Sequence, residues 1–413
     1  MKIGVVQFPG SNCERETKLA LLRNGFTPVD CFWHSSAAFL SSLDGFVIVG
    51  GFSYEDRVRS GLIAAKDPFM RLLAKEAARG KPLLGICNGA QILIESGLVP
   101  GFEDHQVAMA LTHNHRMQQA NVIGSGFYND WVYIKTETND TPIHLPVAHA
   151  EGRFLVTPVL YQALQQAGAL CYYYCDAKGD IVPEFPINPN GSYHNLAAVS
   201  NFGGNVLAMM PHPERTPAGD IIFQHFFLQR FLCTVQKSSR GDSESDFFLW
   251  RKPAKKVHSL AGPPPATLHY WVALLIHDNE AISLETTLQA MGLAVSLKKR
   301  VHWEVTLPPD TNKISLDAII TSSDELFNRQ KECLVTKPDS KLVYFVRERE
   351  DSQTLSKQNA LRKRLHLSDL TLIRKIVWVI DCLPEHIHQV KTVLENQTVL
   401  ANPLAHDGWL DEN

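Results

Sequence analysis

The chain has 413 residues, 45% of them hydrophobic, and 40 lysines and arginines against 43 aspartates and glutamates leave a formal charge of −3. That length allows two or three domains with ample core, and the near-neutral balance argues against a nucleic-acid surface. No apolar run reaches the roughly 18–20 residues that span a bilayer. The chain opens on a strand pattern rather than a signal peptide, and its eight cysteines show no pairing spacing. A cytoplasmic protein is expected.

The first third alternates strand, loop and helix. A strand over 2–8 leads through Pro9-Gly10-Ser11-Asn12 to a helix over 14–24. Strands over 27–32 and 46–49, a helix over 68–79 and a strand over 82–86 follow. This rhythm predicts an α/β fold, an open, mostly parallel sheet flanked by helices. In such sheets ligands gather at the carboxyl ends of strands, which is where Gly51, Cys87 and His212 fall. The strand over 46–49 ends in Gly50-Gly51, where backbone N–H groups can approach a ligand. The strand over 82–86 runs into Gly85-Ile86-Cys87-Asn88-Gly89 and then a helical pattern. Glycines two positions either side of Cys87 leave room for a strained strand-to-helix turn that exposes the sulfur, as in a nucleophile elbow. A free thiol is only a few per cent ionised at neutral pH, so such a nucleophile also needs a base.

Between 121 and 200 strand signals dominate, over 131–135, 146–150, 170–175 and 196–200, with one helix over 157–167. Cys171 and Cys175 flank three tyrosines and are read as core residues. The loop 186–192 is a turn cluster by composition. A buried strand over 205–210 is followed by His212 and Glu214, which point the same way if the chain stays extended. Glu214 would then orient the His212 ring, and His212 would take and return the Cys87 proton. Gly51 N–H and Asn88 N–H are placed to form an oxyanion hole. Taken singly, a buried cysteine is core filler and a His-Pro-Glu triplet a surface turn. Together, each after an apolar strand of one α/β pattern, they point to catalysis. A helix over 220–232 is expected to close the domain.

Residues 236–267, with Ala261-Gly262-Pro263-Pro264-Pro265, have linker composition, and the basic stretch 251–256 is read as part of it. Beyond it one pattern occurs twice, too few copies for a solenoid. Strand signals over 271–276 and 342–346 are followed by helices over 282–291 and 355–365. Strands over 295–305 and 372–380 and second helices over 316–333 and 385–394 complete the units. The C-terminal part is therefore expected to be a two-layer α/β module with an internal repeat. His113-x-His115 and His386-x-His388 lack further ligands at useful spacing, so no metal is expected.

The segments Gly4–Cys13, Gly50–Asp56, Gly85–Gly89, His149–Phe154, Pro189–Ser192 and Met210–Arg215 agree in order and spacing with one family. Residues 1–235 resemble the class I (triad) glutamine amidotransferases, among them the PurQ-type glutaminase subunits of phosphoribosylformylglycinamidine synthase. The resemblance implies Cys87 as nucleophile, His212 as base, Glu214 as its orienter, Gly51 and Asn88 as oxyanion donors, and Gln91 as a contact to substrate glutamine. It implies hydrolysis of L-glutamine to glutamate and ammonia through a cysteine thioester. The ammonia would pass to a large synthetase partner that makes formylglycinamidine ribonucleotide in purine biosynthesis. No Gly-x-x-x-x-Gly-Lys-Ser/Thr loop is present, so no cofactor is expected on this chain and ATP and magnesium belong to the partner. Two positions depart from the family: Asp130 stands where a basic residue is usual, and Glu55 where glycine is commoner. Residues 268–338 and 339–413 resemble two copies of the small PurS-type subunit of the same synthase, Leu400-Ala401-Asn402-Pro403-Leu404 matching its terminal signature and Leu334–Pro338 standing in for it in the first copy. The alternatives are an amidotransferase serving another synthetase, a non-catalytic scaffold of the same fold, and a cysteine peptidase.

Overall fold

The computed structural model describes residues 1–102, 104–137, 141–229, 267–308, 313–340, 342–396 and 398–411. They fall into two compact units, Met1–Phe248 and Leu249–Asn413. The expected linker over 236–267, with its basic stretch, lies outside the described residues apart from its last position.

In the first unit the strands are β1 (Lys2–Gln7), β2 (Thr27–Phe32), β3 (Gly45–Ile48), β4 (Leu83–Ile86), β5 (Ala110–Thr112), β6 (His115–Gln118), β7 (Asn121–Ser125), β8 (Tyr128–Lys135), β9 (Ile143–His149), β10 (Arg153–Leu155), β11 (Leu170–Cys175), β12 (Leu196–Ser200) and β13 (Val206–Met209). The helices are α1 (Glu14–Arg23), α2 (Ala37–Ser41), α3 (Leu62–Lys66), α4 (Pro68–Ala78), α5 (Asn88–Glu95), α6 (Pro158–Gln166) and α7 (Asp220–Gln224). Nine strands form one sheet in the order β2-β1-β3-β4-β13-β12-β11-β8-β9. The pairings from β2 to β13 are parallel and those from β13 to β9 antiparallel, so the sheet is parallel over only one half. The parallel strands β3, β4 and β13 are buried along their whole length, as strands covered on both faces must be. Pro146 lies inside β9, which the sheet tolerates because β9 is its edge.

Local chemistry sets the helix starts. Asp67 accepts a bond from Phe69 N with Pro68 in the first turn, and Thr157 accepts one from Leu160 N with Pro158 in the first turn. Both arrangements satisfy amides that a helix start leaves without partners. The helix expected over 220–232 begins as α7 and passes at His225 into a π-helical turn, His225–Gln229; its last three positions lie outside the described residues.

The second unit contains β14 (Thr267–Leu274), α8 (Asn279–Ala290), β15 (Val295–Thr306), α9 (Lys313–Ser322), β16 (Glu332–Val335), β17 (Val343–Glu348), α10 (Ser352–Leu365), β18 (Thr371–Cys382), α11 (Ile387–Asn396) and β19 (His406–Asp411). Both halves thus read β-α-β-α-β. The helix expected over 316–333 ends at Ser322, and Cys333 lies in β16 instead. Ser322 and Ser323 turn their hydroxyls onto the Ile319 and Ile320 carbonyls, and Asp324 adopts a left-handed backbone conformation. Such side-chain competition for backbone groups, followed by a left-handed residue, stops the helix.

The six strands form one sheet in the order β16-β14-β15-β18-β17-β19, which is third, first, second, second, first, third within the two repeats. This palindrome is an internal pseudo-twofold axis. It passes through the antiparallel β15–β18 ladder at the pair Val301 and Ile376, so that Trp303 corresponds to Trp378 and Tyr270 to Tyr344. All four of these aromatic residues are buried. The correspondence corrects the expected match of Leu334–Pro338 to Leu400–Leu404. It is Asn328 that answers Asn402: Asn328 O accepts from Lys331 N and Glu332 N, and Asn402 O from Ala405 N and His406 N. Each side-chain Oδ1 then accepts from the amide two residues on, Gln330 N at 2.9 Å and Leu404 N at 3.0 Å. One face of the sheet packs Trp303, Tyr270 and Val305 against Ile320 of α9 and Leu361 of α10.

Candidate active site

Cys87 directly follows β4, and its amide donates to Met209 O of the neighbouring parallel strand β13 at 2.8 Å. His212 lies three residues beyond the end of β13, so two adjacent strand ends deliver the thiol and the imidazole to one place. Cys87 holds a left-handed φ of 51°. That conformation is costly for a residue with a side chain and persists only where the surroundings enforce it. Part of that enforcement is Gly89, where a Cβ would fall 2.1 Å from Ile48 O of β3. The elbow can therefore press against the sheet only with glycine at this position. Sγ of Cys87 donates to Ala148 O of β9 at 3.7 Å.

His212 is 1% exposed, and its Nδ1–H donates to Glu214 Oε1 at 2.6 Å, also in full burial. Nε2 makes no closed hydrogen bond among the described residues and is left to accept a proton. Burial pulls the imidazole pKa down, but the charges of Glu214 and Cys87, with the polar influence of the Cys13 and Cys87 sulfurs, outweigh it and hold the ring well above its ordinary value. Cys87, His212 and Glu214 are thus brought together. Behind them His149, buried beside His212, is pushed down to about 3, first by desolvation and then by the charge on His212, so it stays neutral. Its Nδ1 meets Asn114 Oδ1 at 3.2 Å.

The two amides expected to bind an oxyanion stand differently in the fold. Asn88 opens α5, so its N–H lies in a first turn with no intrahelical acceptor. Gly51, at φ 144°, bridges to Ser11, and the bonds of that crossing are Asn12 N to Gly50 O and Phe52 N to Gly10 O. The Gly51 N–H is outside it. Gln91 is buried with both ends of its amide engaged: Oε1 accepts from Asn88 Nδ2 at 2.9 Å and Nε2 donates to Glu151 O at 2.6 Å. Its side chain ties the elbow helix to the turn 149–153, whose Gly152 N–H donates to Asn114 Oδ1.

Sequence reasoning assigned no role to Cys13 or Asp56. Cys13 Sγ accepts from Arg215 Nη2 at 3.3 Å and donates to Asn12 Oδ1 at 3.3 Å. It is a second sulfur acting on the His212 ring. The one signal for it was its place in the loop after β1, at the same carboxyl end of the sheet. Asp56 accepts from Asn88 Nδ2 at 3.2 Å, and burial together with the charge of Glu151 raises its carboxyl to about 7. Its loop carries three consecutive left-handed residues, Tyr54, Glu55 and Asp56, so Glu55 holds a conformation that suits glycine. Glu151 accepts from Ser60 N at 3.2 Å, and Arg153 is buried with Nε donating to His113 O. Asp130 is exposed on β8 and accepts from Tyr128 OH at 2.9 Å.

The family described as the CobB/CobQ-like glutamine amidotransferase domain matches residues 1–221. A phosphoribosylformylglycinamidine synthase subunit PurQ from Methanothrix thermoacetophila is 42% identical over 228 residues, 52% of this chain and 86% of that protein. Another from Thermomicrobium roseum is 39% identical over 225 residues, covering 52% of this chain and 87% of the relative. A solved structure of PurLQS from Thermotoga maritima aligns with TM-score 0.43 and 32% identity over 55% of this chain and 97% of its own.

Proposed function

Because the chain belongs to the CobB/CobQ-like glutamine amidotransferase family, we propose that it is the glutaminase subunit of a phosphoribosylformylglycinamidine synthase. The observation that carries the chemistry is the fully buried His212, bonded to Glu214 on one ring nitrogen and open on the other, beside a cysteine held in an elbow. Cys87 Sγ attacks the carbonyl carbon of the glutamine side-chain amide with its proton carried on His212 Nε2. The developing oxyanion is met by Asn88 N–H, at the positive end of α5, with Gly51 N–H as the second donor. His212 returns its proton to the departing nitrogen, ammonia leaves, and a γ-glutamyl thioester remains. Water then gives its proton to His212 and attacks the thioester, which releases glutamate and restores the thiol. Glu214 fixes the tautomer throughout and stabilises the imidazolium each time it forms.

The names borne by relatives that this chain covers over most of their length support a synthetase partner in purine biosynthesis to which the ammonia is delivered; in this reading the ATP and magnesium belong to that partner. The seven described cysteines are all free, which suits a reducing compartment such as the cytoplasm. No described helix is long and apolar enough to cross a membrane. The C-terminal unit, two copies of one β-α-β-α-β repeat about an internal axis, is read as standing in for a pair of small PurS-type subunits. The test is Cys87→Ala in the complex with the synthetase. Glutamine-dependent product formation is abolished and ammonia-dependent formation persists. Turnover of glutamine by that variant would sink the assignment.

A further inference from the structure

We propose that His269, His302 and Glu304 form a binding site for a zinc-class divalent metal ion on the C-terminal sheet. His269 and Glu304 are directly paired between β14 and β15, and His302 lies two residues before Glu304. Alternation along the strands therefore projects all three from one face, together with Trp271, whose ring stacks on His302 at 4.0 Å. One ligand atom from each lies within 4.8 Å of the other two. His269 Nδ1 and His302 Nε2 are 3.2 Å apart. Two imidazole nitrogens on one tetrahedral zinc, each at about 2.0–2.1 Å from it, stand about 3.3 Å from one another. Glu304 supplies the oxygen of the set; its Oε1 lies 3.8 Å from Nδ1, the other nitrogen of the His302 ring.

Two independent observations say that this cluster is not ordinary core. His302 is only 5% exposed; its Nε2 is within hydrogen-bond distance of His269 Nδ1, while its Nδ1, the nitrogen nearer Glu304, has no hydrogen-bond partner among the described residues. Buried polar groups are nearly always satisfied. The second observation is the broken symmetry. Under the internal axis His269, His302 and Glu304 correspond to Val343, Val377 and Val379 in the sister repeat, where Val343 and Val377 build an apolar cluster with Phe345. The fold is thus content with three valines where the first repeat carries two imidazoles and a carboxylate. Among the described residues Lys375 competes for the carboxylate: its ammonium pairs with Glu304 and lies over Trp409. An ion entering the site takes that carboxylate from Lys375. His269 is exposed, so the fourth position faces solvent or a further donor.

The experiment titrates metal-stripped, full-length protein with Co²⁺, then displaces it with Zn²⁺ against a competing chelator. One cobalt per chain with ligand-field absorption and no thiolate-to-metal charge transfer is expected. His302→Val and His269→Val each weaken binding by at least about tenfold, the lower bound for disturbing a metal site. These variants carry the residue that the sister repeat already accommodates. If His302→Val nevertheless loses its far-ultraviolet circular dichroism, the exposed His269→Val carries the test. Unchanged affinity in His269→Val overturns the proposal. So does a charge-transfer band that disappears with Cys13→Ala, since Cys13, His212 and Glu214 are the other described cluster with ligand spacing.

Discussion

The charge state of His212 is set by burial on one side and by its charged neighbours on the other. Desolvation alone would strip its proton, and the carboxylate of Glu214 at 2.6 Å, together with Cys87, restores it. Glu214→Gln keeps the shape and removes the charge. The ring then loses part of the support that holds its pKa high, so the alkaline limb of the kcat/KM profile moves to lower pH. The loss in kcat is of the order of 10²–10⁴, the usual contribution of a positioned base. Steady-state kinetics across pH check both, and an unmoved limb would show that Glu214 does not set the ring. The meeting of Cys87, His212 and Glu214 was legible because each sits after an apolar strand, in a motif with its own backbone logic. Cys13, Arg215 and Asp56 were not, because nothing in local spacing says that the loop after β1 folds against the end of β13.

At the scale of elements, periodicity located the parallel strands and the helices that start at Pro68 and Pro158 to within a residue or two, and missed the starts of β8, β9, β14, α8 and α10 by three or four residues. It failed where a short polar run decides the outcome. Ser322-Ser323-Asp324 breaks what reads as a long helix, and β16 follows where helix was expected. It also failed to distinguish parallel from antiparallel strands, since a strand covered on both faces is apolar either way. The turn before the last strand of each repeat offers a test of the internal axis. Asn328 and Asn402 make the same set of bonds. Asn328→Ala and Asn402→Ala therefore each destabilise the C-terminal unit by about 0.5–1.5 kcal/mol, the usual net worth of a hydrogen bond. Chemical denaturation of the two variants checks this. A loss confined to one of them would mean the two turns are alike in geometry only.

Across the whole molecule, two buried imidazoles make stability depend on pH. His149 in the first unit and His302 in the second both have folded pKa values near 3 against an ordinary 6.5. The unfolded chain therefore binds protons first as pH falls. Stability contributed by these two groups is complete above about pH 6.5 and is lost progressively on the way down to about pH 3. Denaturation midpoints that decline through this window are expected, less steeply in His302→Val, and a flat profile would contradict the burial of both rings.

The amino-acid order by itself determined that this is an α/β chain with a cysteine elbow, a distant His-Pro-Glu and a duplicated tail, because these are statements about neighbours in sequence. Tertiary structure decided which strand ends meet, that a second sulfur stands at the His212 ring, and that the tail's two copies face each other across Val301 and Ile376. It also decided that three polar residues of one copy meet where the other copy has valines. Long-range pairing fixes all of these, and residues far apart in the chain carry no local trace of the partner they will find.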